Sequence, residues 1–131
     1  MSVEDVHLHT GVPSEPSARF ACHLDGPVAV VTMNYRPYNL MNREFTEQLI
    51  DALGWVRASG ARAAILRSGL RHFSAGADLD AMLEAAESGD GVLDWPILEM
   101  LRAFDGVPIP IVAAVHGNCL GGGLEWRWPA T

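Results

Sequence analysis

The chain has 131 residues, 49% of them hydrophobic and 19% charged, which is typical of about one globular domain. Its formal net charge is −7. This acidic balance argues against a general nucleic-acid binder or a membrane-surface binder, because both need basic patches.

The two cysteines, Cys22 and Cys119, have neither metal-site spacing nor the pattern of a disulfide framework, and we expect them to be small core residues in a reducing compartment. The first residues lack the basic start and apolar run of a signal peptide, and no segment is long and apolar enough to span a membrane. We therefore expect a cytoplasmic protein without a metal site. His7 and His9 would share one strand face, where solvation is the simpler explanation.

The N-terminal region reads as β structure, with "ARFACHL" and "VAVVTM" split by a predicted hairpin turn at Asp25–Pro27. A loop follows at Arg36–Asn42. Asn42 is predicted to cap a helix that ends near Gly60. Its apolar residues recur at helical spacing and should be buried: Phe45, Leu49, Leu53 and Val56.

The second half alternates strands with helices. "AAILRS" is predicted to be a buried strand, and "DLDAMLEAAESGD" a short helix with Leu79, Met82 and Leu83 on one face. Another helix should start at Asp94 as N-cap, with Pro96 near its first turn. "VPIPIVAAVHG" should be a strand with prolines at its entry. The pattern predicts an α/β layered fold with repeated strand–helix units in one continuous domain.

Two of the predicted strands end in similar glycine-containing turns. We call Phe73–Leu79 ("FSAGADL") the first turn and Gly117–Glu125 ("GNCLGGGLE") the second turn. Each would lead into a helix, whose start has unpaired N–H groups, and small residues let a ligand approach the backbone. Side by side, the turns could direct one N–H each at a single oxygen, as an oxyanion hole does.

Two other interpretations of these turns stay open. Glycine-rich turns also occur where strands merely bend. A phosphate cradle is a rival, although neither turn has the spacing of a P-loop or a dinucleotide-binding fingerprint.

Three ordered segments resemble the enoyl-CoA hydratase/isomerase (crotonase) superfamily: "NYRPYNLMNREF", "HFSAGADLDAM" and "PIVAAVHGNCLGGGLE", together spanning much of Val28–Glu125. The resemblance implies a spiral of ββα units, assembled as a trimer or hexamer. It implies an acyl-CoA thioester as substrate, with coenzyme A a part of that substrate and no separate cofactor. It does not specify the reaction.

The resemblance also assigns roles to residues. By position, the two N–H donors for the thioester oxygen fall on Ala77 and Gly122, and the backbone around Ala75 would hold the adenine of coenzyme A. Asp78 would be a structural cap. The implied substrate-binding backbone as a whole is Ala75, Gly76, Ala77, Asp78, Gly121 and Gly122.

Glu125 matches a carboxylate that many members of the superfamily use as a general acid/base. A carboxylate near the thioester in a partly dry site meets that requirement. At a helix start, Glu125 could instead interact with the helix dipole. We expect His116 to be packed and hydrogen-bonded, His72 to lie in an exposed loop, and Trp55 and Trp95 to lie in the core or an interface.

The sequence departs from the superfamily after Glu125, where an apolar helix is expected but "WRWPAT" follows and Pro129 would disrupt a helix. In a neighbouring reading frame, suitable codons for these residues would spell "MALACD". We therefore expect residues 126–131 to be an aberrant, frameshift-like tail on an incomplete crotonase-like domain at 1–131, lacking the family's C-terminal half. Such a chain could be an enzyme or, alternatively, an inactive fragment or non-catalytic partner of full-length homologues.

Overall fold

The computed structural model describes residues 19–89 and 95–120. Within those ranges the chain forms four strands and three helices, in this order: β1 (Phe20–Asp25), β2 (Val28–Met33), α1 (Arg43–Ala58), β3 (Ala63–Ser68), α2 (Leu79–Glu87), α3 (Ile97–Asp105) and β4 (Ile111–Ala114). The strands form one sheet in the order β1-β2-β3-β4. The first pair is antiparallel, and β2, β3 and β4 run parallel. The predicted α/β class is confirmed.

The predicted hairpin turn joins β1 and β2. Asp25 pairs with Val28, so the turn consists of Gly26 and Pro27. Gly26 has a φ of +56°, which a glycine adopts without steric strain. This conformation matches the primed two-residue turns that suit the twist of a β-hairpin.

The helix α1 carries most of the core against the sheet. Its four predicted core residues are all buried: Phe45, Leu49, Leu53 and Val56. The Oδ1 of Asn42 accepts the N–H of Phe45 at 2.9 Å, which confirms Asn42 as the N-cap. The helix ends at Ala58, and Gly60 follows with a φ of +74°, as expected for the residue that ends a helix.

One face of the sheet carries the core, and the other is more open. In β3, Ala64 and Leu66 are buried with α1 and α3, whereas Arg67 on the alternate face is exposed. Val112 of β4 lies on that same open face, because it pairs with Ile65, and it is 48% exposed. The Nε of Arg67 donates to Oγ1 of Thr32 across this face at 2.9 Å.

The helix α2 forms where the sequence predicts it, but its apolar face is not buried. None of its residues is buried, and Leu79 and Leu83 are 74% and 59% exposed. Helical spacing of apolar residues predicts a helix that has something to pack against. Within the described ranges, α2 packs against nothing that covers those two leucines.

The start of α3 differs from its prediction. Asp94 lies outside the described residues, and the helix begins at Ile97 with Pro96 in the N-cap position and no side-chain cap. Pro96 therefore lies next to the first turn, as predicted, and it occupies the N-cap position that was expected for Asp94. Trp95 is buried just before it, and Trp55 is buried in the core, as predicted for core aromatic residues. None of the helices in the described ranges is long and apolar enough to cross a membrane.

Candidate active site

The backbone of the first turn is held by the loop before α1. Met41 forms a parallel bridge with Ala77, in which the Met41 N–H donates to the Gly76 carbonyl at 2.8 Å and the Asp78 N–H donates to the Met41 carbonyl at 2.9 Å. In such a bridge the N–H and C=O of Ala77 itself point away from Met41. Within 19–89 and 95–120, the Ala77 N–H has no hydrogen-bond acceptor.

Within the described residues, the two alanines of the first turn thus differ in whether their N–H groups are hydrogen-bonded. The Ala75 N–H donates to the Tyr38 carbonyl at 3.0 Å, so it is occupied. Gly76 lies between them with a φ of +92°, a conformation that favours glycine. Asp78 caps α2 by accepting the Ala81 N–H at 3.1 Å, which confirms its predicted role as a cap.

A buried polar network holds the first turn in place. Asn39 is fully buried with a φ of +50°. Its Oδ1 accepts the Tyr35 N–H at 2.8 Å, and its Nδ2 donates to Ser68 Oγ at 2.8 Å and to the Phe73 carbonyl at 3.0 Å. Ser74, also fully buried, donates its hydroxyl to the Asn39 carbonyl at 2.9 Å. Buried polar groups satisfied in this way hold a unique local geometry.

The second turn lies directly against the first. Ser74 bridges Cys119 in parallel fashion: the Ser74 N–H donates to the Asn118 carbonyl at 3.1 Å, and the Leu120 N–H donates to the Ser74 carbonyl at 3.0 Å. The Phe73 N–H donates to the His116 carbonyl at 2.9 Å. The structure therefore brings residues 117–120 of the second turn against the first turn.

Two histidines add side-chain contacts between the same segments. The Nε2–H of His116 donates to the Leu70 carbonyl at 2.7 Å, and Nδ1 of His72 accepts the Asn118 N–H at 2.9 Å. His116 is hydrogen-bonded, as predicted, but it is exposed rather than packed. His72 lies in a loop, as predicted, but it is half-buried rather than exposed. Sequence alone offered no signal for a bond between residues so far apart in the chain.

The described residues contain only part of the predicted site. Ala75, Gly76, Ala77 and Asp78 are described, and Gly76 is buried while the other three are half-buried. Gly121, Gly122 and Glu125 lie outside the described residues, as does the tail at 126–131. The described residues contain no group of three or more His, Cys, Asp or Glu side chains that could hold a metal ion.

A family model described as "Enoyl-CoA hydratase/isomerase" matches residues 24–128. The chain belongs to this family. The match covers both turns and the loop before α1, so the family's own motifs coincide with the segments that the fold brings together.

Named relatives of this family agree. The chain is 36% identical over 108 residues to "Fatty acid oxidation complex subunit alpha" of Shewanella loihica, with 78% of this chain and 15% of that protein covered. It is 36% identical over 111 residues to "Enoyl-CoA hydratase domain-containing protein 2, mitochondrial" of Bos taurus, with 79% and 37% covered.

Solved structures show the same fold. An enoyl-CoA hydratase/isomerase from Xanthobacter autotrophicus superposes with a TM-score of 0.72 at 28% identity, covering 86% of this chain and 44% of that chain. The predicted crotonase fold is therefore confirmed for the matched region. The chain spans less than half the length of these family members.

Proposed function

We propose that the chain acts on acyl-CoA thioesters, with the Ala77 N–H as one donor of an oxyanion hole. The observation that carries this proposal is the Ala77 amide, which has no acceptor among the described residues although the N–H groups of its neighbours Ala75, Gly76 and Asp78 all have one. An unpaired donor on a fixed backbone is what a developing oxyanion needs, since no reorganisation is required when charge forms.

The remaining parts of the proposed site come from the family resemblance. Gly122 would supply the second N–H, and Glu125 would act as the general acid/base. Glu125 would remove a proton from the carbon next to the thioester carbonyl, and the electron pair would move onto the thioester oxygen to give an enolate. Reprotonation at the same or another carbon would then complete an isomerase-type reaction.

The Ala75 backbone fits a role in binding the adenine of coenzyme A. Its N–H is occupied by Tyr38, whereas its carbonyl accepts no hydrogen bond from the described residues. A free carbonyl can accept from an exocyclic amino group such as that of adenine.

The proposal is tested by removing one N–H at a time. Lactic acid in place of Ala77 converts the amide to an ester, and lactic acid in place of Ala75 is the matched control in the same turn. The first readout compares the Kd of butyryl-CoA with that of S-butyl-CoA, a thioether without the carbonyl. The second readout is deuterium incorporation at the α-carbon of butyryl-CoA in D₂O.

The unmodified chain should bind butyryl-CoA more tightly than the thioether and exchange its α-protons. The ester at 77 should slow the exchange by about 10²-fold, as expected for loss of one oxyanion donor. The ester at 75 should instead lower the free energy of unfolding by about 1 kcal/mol, because it removes an occupied hydrogen bond. Glu125→Gln should abolish exchange. If the unmodified chain shows neither discrimination nor exchange, the proposal is wrong.

The exposed apolar side chains favour a second candidate function, a non-catalytic partner of full-length homologues. Leu79 and Leu83 on α2 and Val112 on β4 are all about half exposed or more. Exposed apolar surface of this kind is typical of interaction sites. Gel filtration of the chain with a full-length homologue, together with the exchange assay, separates the two: a mixed complex without exchange supports the partner, and exchange by the chain alone supports the enzyme.

A further inference from the structure

The parallel hydrogen-bond pairing between the two turns is irregular at His72. In a regular parallel ladder, the bridge between Ser74 and Cys119 would be followed, two residues earlier, by a bond from the Asn118 N–H to the His72 carbonyl. The structure shows a different pairing. The Phe73 N–H, rather than the His72 N–H, donates to the His116 carbonyl, and the Asn118 N–H donates to the His72 side chain.

The His72 imidazole therefore takes the place of a main-chain acceptor. Its Nδ1 lies 2.9 Å from the Asn118 nitrogen, and only an unprotonated ring nitrogen can accept a hydrogen bond. The ring must then be neutral, with its proton on Nε2. When the ring gains a second proton, both ring nitrogens become donors and the bond to Asn118 is lost.

The ring is also fixed against the backbone of the second turn. A Cβ placed on Gly117 would lie 2.6 Å from His72 Nδ1 and 2.6 Å from the Arg71 carbonyl oxygen. Gly117 has a φ of +62°. The close approach of the imidazole to the main chain thus depends on a glycine at position 117. His72 and Gly117 pack directly against each other.

We propose that His72 is a positioning residue of the candidate active site. Its neutral imidazole holds residues 117–120 of the second turn against the first turn through the Asn118 amide, and protonation of that imidazole releases them. The consequence for catalysis rests on the proposed function, because Asn118 precedes Gly122, the proposed second donor, in the same turn.

Few other titratable or charged groups of the described ranges surround His72. The Tyr38 ring centroid lies 6.3 Å from that of the imidazole. Arg71 is the preceding residue and is exposed. His116, from the segment that pairs with His72, has its Nε2 on the Leu70 carbonyl. No carboxylate of the described ranges pairs with His72 to hold it in the charged form.

The test compares two substitutions that differ in whether they keep the acceptor. His72→Asn places Oδ1 two bonds from Cβ, as Nδ1 is, so it can accept the Asn118 N–H. His72→Phe keeps an aromatic ring but removes the acceptor. The first readout is the protection of the Asn118 amide, which is its hydrogen-exchange rate relative to the intrinsic rate at the same pH, measured by NMR on the full chain from about pH 8 to about pH 5. Circular dichroism confirms that each variant is folded.

In the wild type the Asn118 amide should be protected at the upper end of this range and should lose protection as the pH falls. His72→Asn should keep the protection across the range, because its amide oxygen does not titrate. His72→Phe should be unprotected throughout. Equal protection in all three proteins, or protection that does not respond to pH in the wild type, would overturn the proposal.

The second readout links the contact to the site. His72→Phe should slow α-proton exchange of butyryl-CoA roughly 10²-fold, as expected for a misplaced donor, and His72→Asn should restore it to near the wild-type rate. A His72→Phe chain that keeps the wild-type exchange rate would contradict a role at the active site. A wild-type chain that shows neither exchange nor carbonyl discrimination overturns the proposed function instead, and the Asn118 amide then still decides whether His72 positions the turn.

Discussion

The side-chain amide of Asn39 donates to the carbonyl oxygen of Phe73 at 3.0 Å, and this bond joins the loop before α1 to the first turn. Both groups are buried, and the same Nδ2 also bonds Ser68 Oγ. The position of the Ala77 amide, four residues further along the chain, depends on this junction.

Replacement of Asn39 should therefore destabilise the protein. Asn39→Asp keeps the acceptor for Tyr35 but removes both donated bonds and places a carboxylate facing the Phe73 carbonyl. We expect a loss of about 3 kcal/mol or more in the free energy of unfolding, since a charged group becomes buried with one of its oxygens facing another acceptor. Urea unfolding followed by circular dichroism measures it. The exposed carboxylate of Glu47 is the control, and Glu47→Gln should change stability by less than about 0.5 kcal/mol.

Two glycines with positive φ should respond differently to alanine. Gly60 has a φ of +74° and no atom within 4 Å of an added Cβ, so Gly60→Ala should cost about 1 kcal/mol of backbone strain. Gly117→Ala meets the same strain, and its Cβ would also lie 2.6 Å from the Arg71 carbonyl oxygen. We expect an additional loss of about 1–3 kcal/mol at 117. Equal losses in urea unfolding at the two positions would contradict the close approach described here.

Burial raises the pKa of the Cys22 thiol to about 12. In a Cys119→Ser chain, we therefore expect a thiol reagent at neutral pH to label Cys22 only when urea unfolds the protein, because the folded thiol is both inaccessible and protonated. Rapid labelling of the folded chain would show that Cys22 is reachable.

The same pKa makes stability depend on pH in the alkaline range. The folded pKa lies above the unfolded value near 9, so the stabilising contribution is complete below about pH 9 and is lost as the pH rises towards 12. The free energy of unfolding should fall more steeply from pH 9 to pH 10 in the wild type than in Cys22→Ala. Tyr35, whose pKa is also raised by burial, is present in both chains and does not affect their difference.

The predicted apolar face of α2 and that of α1 should differ in their contribution to stability. Leu49→Ala in α1 should lower the free energy of unfolding by about 2–5 kcal/mol, because it leaves a cavity in the core. Leu83→Ala in α2 should change it by less than about 0.5 kcal/mol, because Leu83 is 59% exposed. A large loss at Leu83 in the isolated chain would show that α2 is covered.

Local signals in the sequence were enough to predict the elements whose formation depends mainly on their own residues. The Gly26–Pro27 turn, the Asn42 cap and the buried face of α1 follow from residue type and spacing, and the structure confirms each. The spacing of α2 is equally clear, but spacing cannot tell whether a partner is present to cover Leu79 and Leu83. The predicted Asp94 cap did not locate the start of α3, because Pro96 occupies the N-cap position.

The candidate site likewise has a part that the sequence predicted and a part that it did not. The two turns were found from their small residues, and their adjacency follows from parallel strands that end at one edge of the sheet. The contacts that hold them were not predictable. Asn39 and His72 act on atoms 34 and 46 residues away in the chain, and a single sequence does not indicate which residues meet at such separations.

Ser74 takes part in four hydrogen bonds, one within the first turn and three to two other segments. Its N–H and C=O pair with Asn118 and Leu120, and its hydroxyl donates to the Asn39 carbonyl and accepts the Gly76 N–H. Neither turn can loosen far without breaking bonds to this one residue. Thermal opening of this region should therefore occur as a single cooperative event, and mutations on the two turns should be non-additive in their effects, because they disturb the same joint.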